Sequence, residues 1–384
     1  MNKPKILYIT PGLVPPSKDK QLSKFHALSK ISKGAVLNPV WWKNKEELIK
    51  SLGPDAYPNF IVDDYEYSFM YLEKYPEYLH FIARVLFFVK EGLRLNKKYE
   101  GFDFIMTYGT NSTGLGALIL KLLTGAKLIT EIPGVPEDGS LLDEPKPSLM
   151  VKIKLLISNL LLNIILLKTD HLKLLYKDQL NAYPRAKNIP RSVFHDFVPT
   201  DNIQKIEPTD GNYIIAIGHP WYRKGLDILV EAFLKIHEST PNLLLKIVGW
   251  LPDRTYLDKL INNNPRIEIL PPAPSNEIFK LISNSFALAL TSRSEAMGRV
   301  LVEGMALKKP LLGSNTNGIP TYLIHERNGL LSSVGNIDEL ANNILRLYED
   351  KQLRLKLGEN GFQYLKEELD EDAYIRKYKK MLSS

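Results

Sequence analysis

Short apolar runs alternate along this chain with longer stretches whose apolar residues return every three or four positions. The first habit suits strands covered on both faces, and the second suits helices lying on them. The alternation therefore predicts a parallel α/β architecture. Residues 5–10 read as a first strand, followed by a loop at 11–18 and a helix near 20–33. Residues 81–95 and 113–123 read as helices, and 104–107 and 127–131 as strands. Residues 51–80, rich in Tyr, Pro and Asp, read as an irregular insertion; 132–148, rich in Pro, Gly and acid, read as a loop. The polar stretch 198–211, with Pro199 and Pro208, suits an interdomain linker. The alternation restarts at Tyr213 and closes in two amphipathic helices, 352–368 and 372–382. Two α/β domains are expected, 1–200 and 201–384.

One stretch departs from this rhythm. Residues 155–167 carry no charge, are interrupted by Asn159 and Asn163, and lie among Lys152, Lys154 and Lys168. A bilayer span needs about 20 apolar residues. Two readings remain: a helix buried on the N-terminal sheet, or an interfacial helix that touches a membrane.

Composition narrows the class. A chain of 384 residues, 44% hydrophobic and 24% charged, can bury two cores. Cysteine is absent, which excludes disulfides and thiolate metal sites and fits a reducing, cytoplasmic compartment. The apolar run from Ile6 to Ile9 is too short for a signal-peptide core and reads as a buried strand. The net charge of +7 is uneven: residues 1–200 carry 27 Lys+Arg against 20 Asp+Glu, and the rest carry 23 of each. Such an excess is either a solvated face or an attraction to a phosphate-bearing acceptor or an anionic membrane, here as a peripheral protein on the inner face. No nucleic-acid module is recognisable, so nucleic acid is not an expected partner.

The densest chemistry lies in residues 292–320, SRSEAMGRVLVEGMALKKPLLGSNTNGIP. Glu295 and Glu303 are separated by seven residues, and Gly298 lies between them. Val300, Leu301, Val302, Met305 and Ala306 mark an apolar-faced helix, stopped by Lys308, Lys309 and Pro310. Glu295 then precedes a helix N-terminus and Glu303 lies within the helix. The unpaired amides near Arg299 and Val300 make an anion site. Carboxylates on both sides of an anion site can hold hydroxyls flanking a phosphate, as in a sugar nucleotide.

SEAMGRVLVEGMA is similar to the Glu-(seven residues)-Glu signature of retaining family-4 glycosyltransferases. NTNGIP and Asn328–Leu331 (NGLL) resemble the segment that follows it, with Thr321 where Glu is usual. AIGHPWYRKGLDILVEAF, residues 216–233, resembles the family's "GR-L…KG-x-D" segment, with Lys224 on its lysine and Gly225 on its glycine. Residues 245–249, LKIVG, look like the strand and turn that come next. The likeness is dense over 210–365 and diffuse over 1–200.

The resemblance implies the GT-B fold: two Rossmann-like domains facing a cleft, an N-terminal acceptor domain and a C-terminal donor domain. The last helix, about 370–384, is expected to cross back to the first domain. It implies a retaining hexosyl or other glycosyltransferase, with a nucleotide-diphosphate sugar as donor and a glycan or lipid-linked glycan as acceptor. No cofactor and no metal are expected, because the one Asp-x-Asp spacing, Asp370–Asp372, stands at a helix start where acids act as caps. Lys224 and Glu295 carry the catalytic expectation, with Arg223 and Glu131 as further candidates. The donor set is Glu303, Gly218, His219, Met297, Gly298, Arg299 and Val300, with Glu303 on the ribose hydroxyls. Gly12, Tyr108 and His195 are the acceptor-side candidates. His219 stands where Arg is usual, and neutral His is a weaker diphosphate ligand than a bidentate guanidinium. Arg223 is its expected substitute. Tyr108 and Pro133 depart from the family's His positions. A non-catalytic nucleotide-sugar-binding protein, a sugar-nucleotide epimerase and a glycan phosphorylase stay open as alternatives; a phosphorylase needs a much longer chain.

Overall fold

The computed structural model describes residues 3–12, 21–40, 60–109, 111–134, 143, 148–252 and 254–384. They form two compact units. The first comprises Met1–Pro133, Ile153–Pro199 and Tyr374–Ser384; the second comprises Gly134–Lys152 and Thr200–Ala373.

The first unit is built on a sheet of eight strands among the described residues. In chain order these are β1 (Lys5–Ile9), β2 (Lys33–Val40), β3 (Ile61–Val62), β4 (Tyr65–Tyr71), β5 (Phe104–Tyr108), β6 (Lys127–Ile132), β7 (His171–Leu174) and β8 (Arg191–Val193). Their spatial order is β3-β4-β2-β1-β5-β6-β7-β8, and all pairings except β3 with β4 are parallel. Successive side chains alternate between faces. Leu7, Ile9, Ile105 and Leu128 point to one side, where they meet α2 (His80–Lys98), α3 (Ser112–Thr124) and Ile165 of α4 (Leu149–Leu166). Ile6, Tyr8, Met106 and Ile129 point to the other. There they meet Phe25 and Leu28 of α1 (Gln21–Ser29) and Tyr374, Tyr378 and Met381 of the chain's last helix, Glu371–Leu382.

Two expectations change here. The insertion expected at 51–80 supplies β4, which pairs with β2 over seven residues. Tyr65 and Tyr67 are buried among the aromatic side chains of that face, and a pleated, half-buried surface favours such residues. Residues 51–59, the loop at 13–18 and most of 132–148 lie outside the described residues. The reading of 155–167 as a helix well buried on the N-terminal sheet is also corrected. On α4, Leu155, Leu162, Ile165 and Leu166 face inward, while Leu156, Ile157, Leu160 and Ile164 face outward. Only 17% of α4 is buried, and by length and composition alone it could cross a membrane. Ile165 packs on Gly114 of α3, and Ser158 Oγ donates to the side-chain Oδ1 of Asn111 at 2.6 Å.

The second unit carries a parallel sheet of six strands among the described residues, β9 (Tyr213–Ile217), β10 (Leu244–Val248), β11 (Ile267–Leu270), β12 (Ala287–Leu290), β13 (Leu311–Ser314) and β14 (Leu330–Ser332). Its order is β11-β10-β9-β12-β13-β14. The helices are α5 (Leu226–Ile236), α6 (Thr255–Ile261), α7 (Ser275–Ser283), α8 (Arg299–Ala306), α9 (Ile337–Glu349) and α10 (Lys351–Tyr364); the last helix, α11, returns to the first unit. The chain leaves β9 toward β10 and β11, then comes back to β12 on the other side of β9. The loops after β9 and β12 therefore diverge, and such a switch point leaves a crevice at the carboxyl ends of the strands.

Candidate active site

The two loops at this switch point hold the residues the sequence singles out in the second unit. The loop after β9 contains Gly218 to Lys224; the loop after β12 contains Ser292 to Gly298. They are stitched together through their backbones. Arg293 N–H donates to the Arg223 carbonyl at 2.8 Å, and Thr291 Oγ1 donates to the Gly225 carbonyl at 2.8 Å. The Arg293 guanidinium forms two bonds to Asp227, at 2.8 and 2.6 Å, and one to the Tyr222 carbonyl at 2.6 Å. Paired ionic hydrogen bonds of this kind fix orientation as well as adding energy. Gly225 makes the approach feasible: it has φ +61, and a Cβ there would lie 2.0 Å from the Thr291 carbonyl oxygen.

Lys224 Nζ lies 2.5 Å from Glu295 Oε2, and Ser292 Oγ donates to the same oxygen at 3.3 Å. The stem of Lys224 crosses the space a side chain at Gly218 would take. Glu295 is held from behind by Gly318, whose N–H donates to its carbonyl at 3.0 Å. Gly298, at φ +69, turns the chain into α8. The Tyr322 hydroxyl donates to the carbonyls of Met297 and Gly298. The amides of Arg299 and Val300 therefore open the helix directly after Glu295 and Met297. Glu303, one turn further along α8, is 8% exposed, and its Oε1 accepts from Arg299 Nε at 2.9 Å. A cation, two carboxylates and a helix N-terminus thus lie on adjoining loops, a set suited to a diphosphate flanked by hydroxyls.

Two neighbours are engaged elsewhere. Arg223 pairs with Asp143 at 3.1 Å. His219 packs on Trp250, with ring centroids 4.8 Å apart. The clamp of Arg293 and Asp227 and the Tyr322 brace went unnoticed in the sequence, because each joins residues far apart in the chain.

The candidates of the first unit stand at the carboxyl ends of its strands, and their settings differ from expectation. Glu131 is 2% exposed, with Oε1 2.7 Å from Lys173 and Oε2 3.5 Å from Lys24. It is the counter-ion of the buried Lys173 and the part-buried Lys24. Asp196 completes the group, 2.8 Å from Lys173 and 3.5 Å from Lys24. Burial opposes its ionisation, but the two lysines hold its carboxyl well below the usual range. Burial likewise opposes the Lys173 ammonium, and Asp196 and Glu131 outweigh it, so its pKa is raised. His195 is pushed down to about 4 by burial, with Lys173 adding to the effect. Burial, then Glu131 and Asp196, raise the Tyr108 hydroxyl. Gly12 has φ +66 and packs on Pro39, where a Cβ would fall 1.6 Å from the carbonyl oxygen. The signal that could have exposed Lys173 is its place inside the apolar strand HLKL: a buried lysine needs a counter-charge.

Residues 199–364 match the family model of glycosyl transferases group 1. Fold and matched segment point the same way: the chain has the GT-B fold, and the segment similar to glycosyl transferases group 1 lies almost wholly in its second α/β unit. Among curated relatives, a glycosyltransferase of Methanocaldococcus jannaschii is 32% identical over 159 residues, covering 41% of this chain and 44% of the relative. The N-acetyl-alpha-D-glucosaminyl L-malate synthase of Bacillus anthracis is 28% identical, covering 40% and 41%. The matched segment thus spans less than half the length of each of these two relatives. Among solved structures, sucrose-phosphate synthase from Thermosynechococcus elongatus superposes with TM-score 0.76 at 17% identity, over 99% of this chain and 98% of that one. Anabaena HepE in complex with UDP superposes with TM-score 0.70 at 17% identity, over 99% of both.

Proposed function

We propose that this chain is a retaining glycosyltransferase, which moves a hexosyl or similar unit from a nucleotide-diphosphate sugar to a glycan or lipid-linked glycan without a metal. The observation that carries the reading is the Lys224–Glu295 pair set before the N-terminus of α8, with Glu303 one turn behind. In the transfer, the bond from the anomeric carbon to the leaving phosphate oxygen breaks. The acceptor oxygen attacks from the same face and passes its proton to that phosphate oxygen. Negative charge grows on the diphosphate, where Lys224 and the amides at the start of α8 are preorganised to meet it. Glu295 holds hydroxyls of the donor sugar, and Glu303 holds those of the ribose. Asp370, the first acid of the Asp-x-Asp spacing, accepts from the Ala373 N–H at 2.7 Å, which agrees with a capping role.

The test is turnover of nucleotide sugars with saccharide and lipid-linked acceptors. Lys224→Ala should lower kcat by about a hundredfold or more, as loss of one transition-state donor does. EDTA should leave the rate unchanged. The second reading, a non-catalytic nucleotide-sugar binder, is favoured by Arg223 and His219, which are occupied by Asp143 and Trp250. Binding without turnover of any donor would select it.

We further propose that α4 lies on an anionic membrane at the cytoplasmic face, which would bring a lipid-linked acceptor to the enzyme. Its outward Leu156 and Leu160 are 72% and 65% exposed, and Lys152, Lys154 and Lys168 stand exposed beside that face.

A further inference from the structure

The second unit has a cavity of about 800 Å³ that shares His219 with the expected donor set and is otherwise lined by residues outside it. It opens at the same carboxyl edge of the sheet, around the loops after β9 and β10. Its walls are aromatic. The Trp221 and Tyr256 rings stack with centroids 5.5 Å apart and planes 15° apart, and Tyr222 meets Trp221 edge-on at 5.6 Å. His219 also lines it and carries Trp250 on its ring. Trp250 is 60% exposed and Tyr256 is 50% exposed. Large aromatic rings left in water beside a cavity mark a binding surface more often than a packing surplus.

The rings are also held still. Tyr222 lies under the Arg293 guanidinium, 3.9 Å from its centroid, and Arg293 is itself locked to Asp227. The acids on the cavity wall, Asp143 and Asp227, are matched by Arg223 and Arg293. With both acids paired, the wall carries little net charge beyond the Lys259 ammonium, and it suits an uncharged ligand better than a diphosphate. Thr255 and Lys259 supply hydroxyl and ammonium groups at its edge. Flat rings with polar groups at the margin suit one ligand chemistry in particular: a sugar ring, whose C–H face stacks on an aromatic ring while its hydroxyls reach polar partners. We propose that this cavity is a carbohydrate subsite that holds a neutral hexose unit of the acceptor glycan, in addition to the N-terminal acceptor contacts that the resemblance implies. The proposal rests on the glycosyltransferase reading for the word acceptor, and on the cavity alone for the word carbohydrate. The subsite also shares its frame with the catalytic loops. Tyr222 stands two residues before Lys224, and Arg293 stands two before Glu295. A sugar seated there would brace both loops.

The experiment is calorimetric titration of the full chain with maltohexaose, cellohexaose and chitohexaose, and separately with UDP. At least one hexaose should bind. Trp250→Ala and Tyr256→Ala should each weaken it by about tenfold, and Trp250→Phe, which keeps a ring, should restore most of the loss. Both residues are half exposed or more, so neither change removes core, and UDP affinity should stay the same in every variant. The proposal is overturned if none of the hexaoses binds, if binding ignores both substitutions, or if UDP is weakened in step with the hexaose. That last result would make the cavity a nucleobase pocket. Hexaose binding that follows the rings, with no donor turned over, would sink the glycosyltransferase reading and leave the subsite standing. Turnover with ring-independent hexaose binding would do the reverse.

Discussion

Glu303 is nearly buried, and its nearest partner is a side chain of its own helix, Arg299. In the proposed function its second oxygen is the group offered to a ribose. Glu303→Ala should weaken nucleoside diphosphate binding by roughly 1.5–3 kcal/mol, the usual worth of a hydrogen bond to a charged group. Calorimetry on the variant measures this directly, and unchanged affinity would remove Glu303 from the donor set. A second prediction concerns His195, whose pKa is pushed down to about 4 from an ordinary value near 6.5 by burial and by Lys173. The unfolded chain binds this proton more readily than the folded one, so stability rises with pH across the window. The contribution is complete above about pH 6.5 and disappears as the pH falls through about 4. The thermal midpoint should drop between these values, and His195→Gln should flatten that drop by a few degrees. An identical pH profile in the variant would place the acid sensitivity elsewhere.

At the scale of elements, the segments around the donor site were legible in sequence because each is local. The apolar periodicity after Gly298 gives α8, and the spacing of Glu295 and Glu303 is set by that helix and the short loop before it. What escaped was contact between distant segments. Arg293 and Asp227 are 66 positions apart, and the Lys173–Glu131–Asp196–Lys24 group draws on β7, β6, the stretch after β8 and α1. Strand β4 escaped for another reason: its Tyr-x-Tyr alternation sits in surroundings that read as loop. Helix α4 was ambiguous because charge-free composition does not say which side meets protein. Its observed exposure gives the third prediction. The protein should sediment with anionic vesicles at low salt and release in high salt, since each basic residue near such a surface contributes about 1 kcal/mol. Changing Lys152, Lys154 and Lys168 to Glu should abolish sedimentation and leave nucleotide affinity intact. Failure to sediment at low salt would leave the exposed face of α4 without this partner.

For the molecule as a whole, the first unit is assembled from three separate stretches of chain, and the last of them is α11. Tyr378 and Tyr374 are fully buried against Phe194, and the Tyr378 hydroxyl lies 3.3 Å from that of Tyr8 on β1. Burying each such side chain contributes about 1.5–3 kcal/mol. Truncation after Ala373 should therefore speed amide exchange in β1, β5 and β6, and leave β9 and β12 protected. Equal loosening of both sheets would show that the helix stabilises more than the first unit.

The same connectivity bears on how the protein is made. A ribosome delivers β1 well before Tyr378, with the second unit's strands emerging in between. The aromatic face that awaits α11 stays uncovered until α11 itself has left the exit tunnel. A premature stop just before α11 would thus injure strands made long before it.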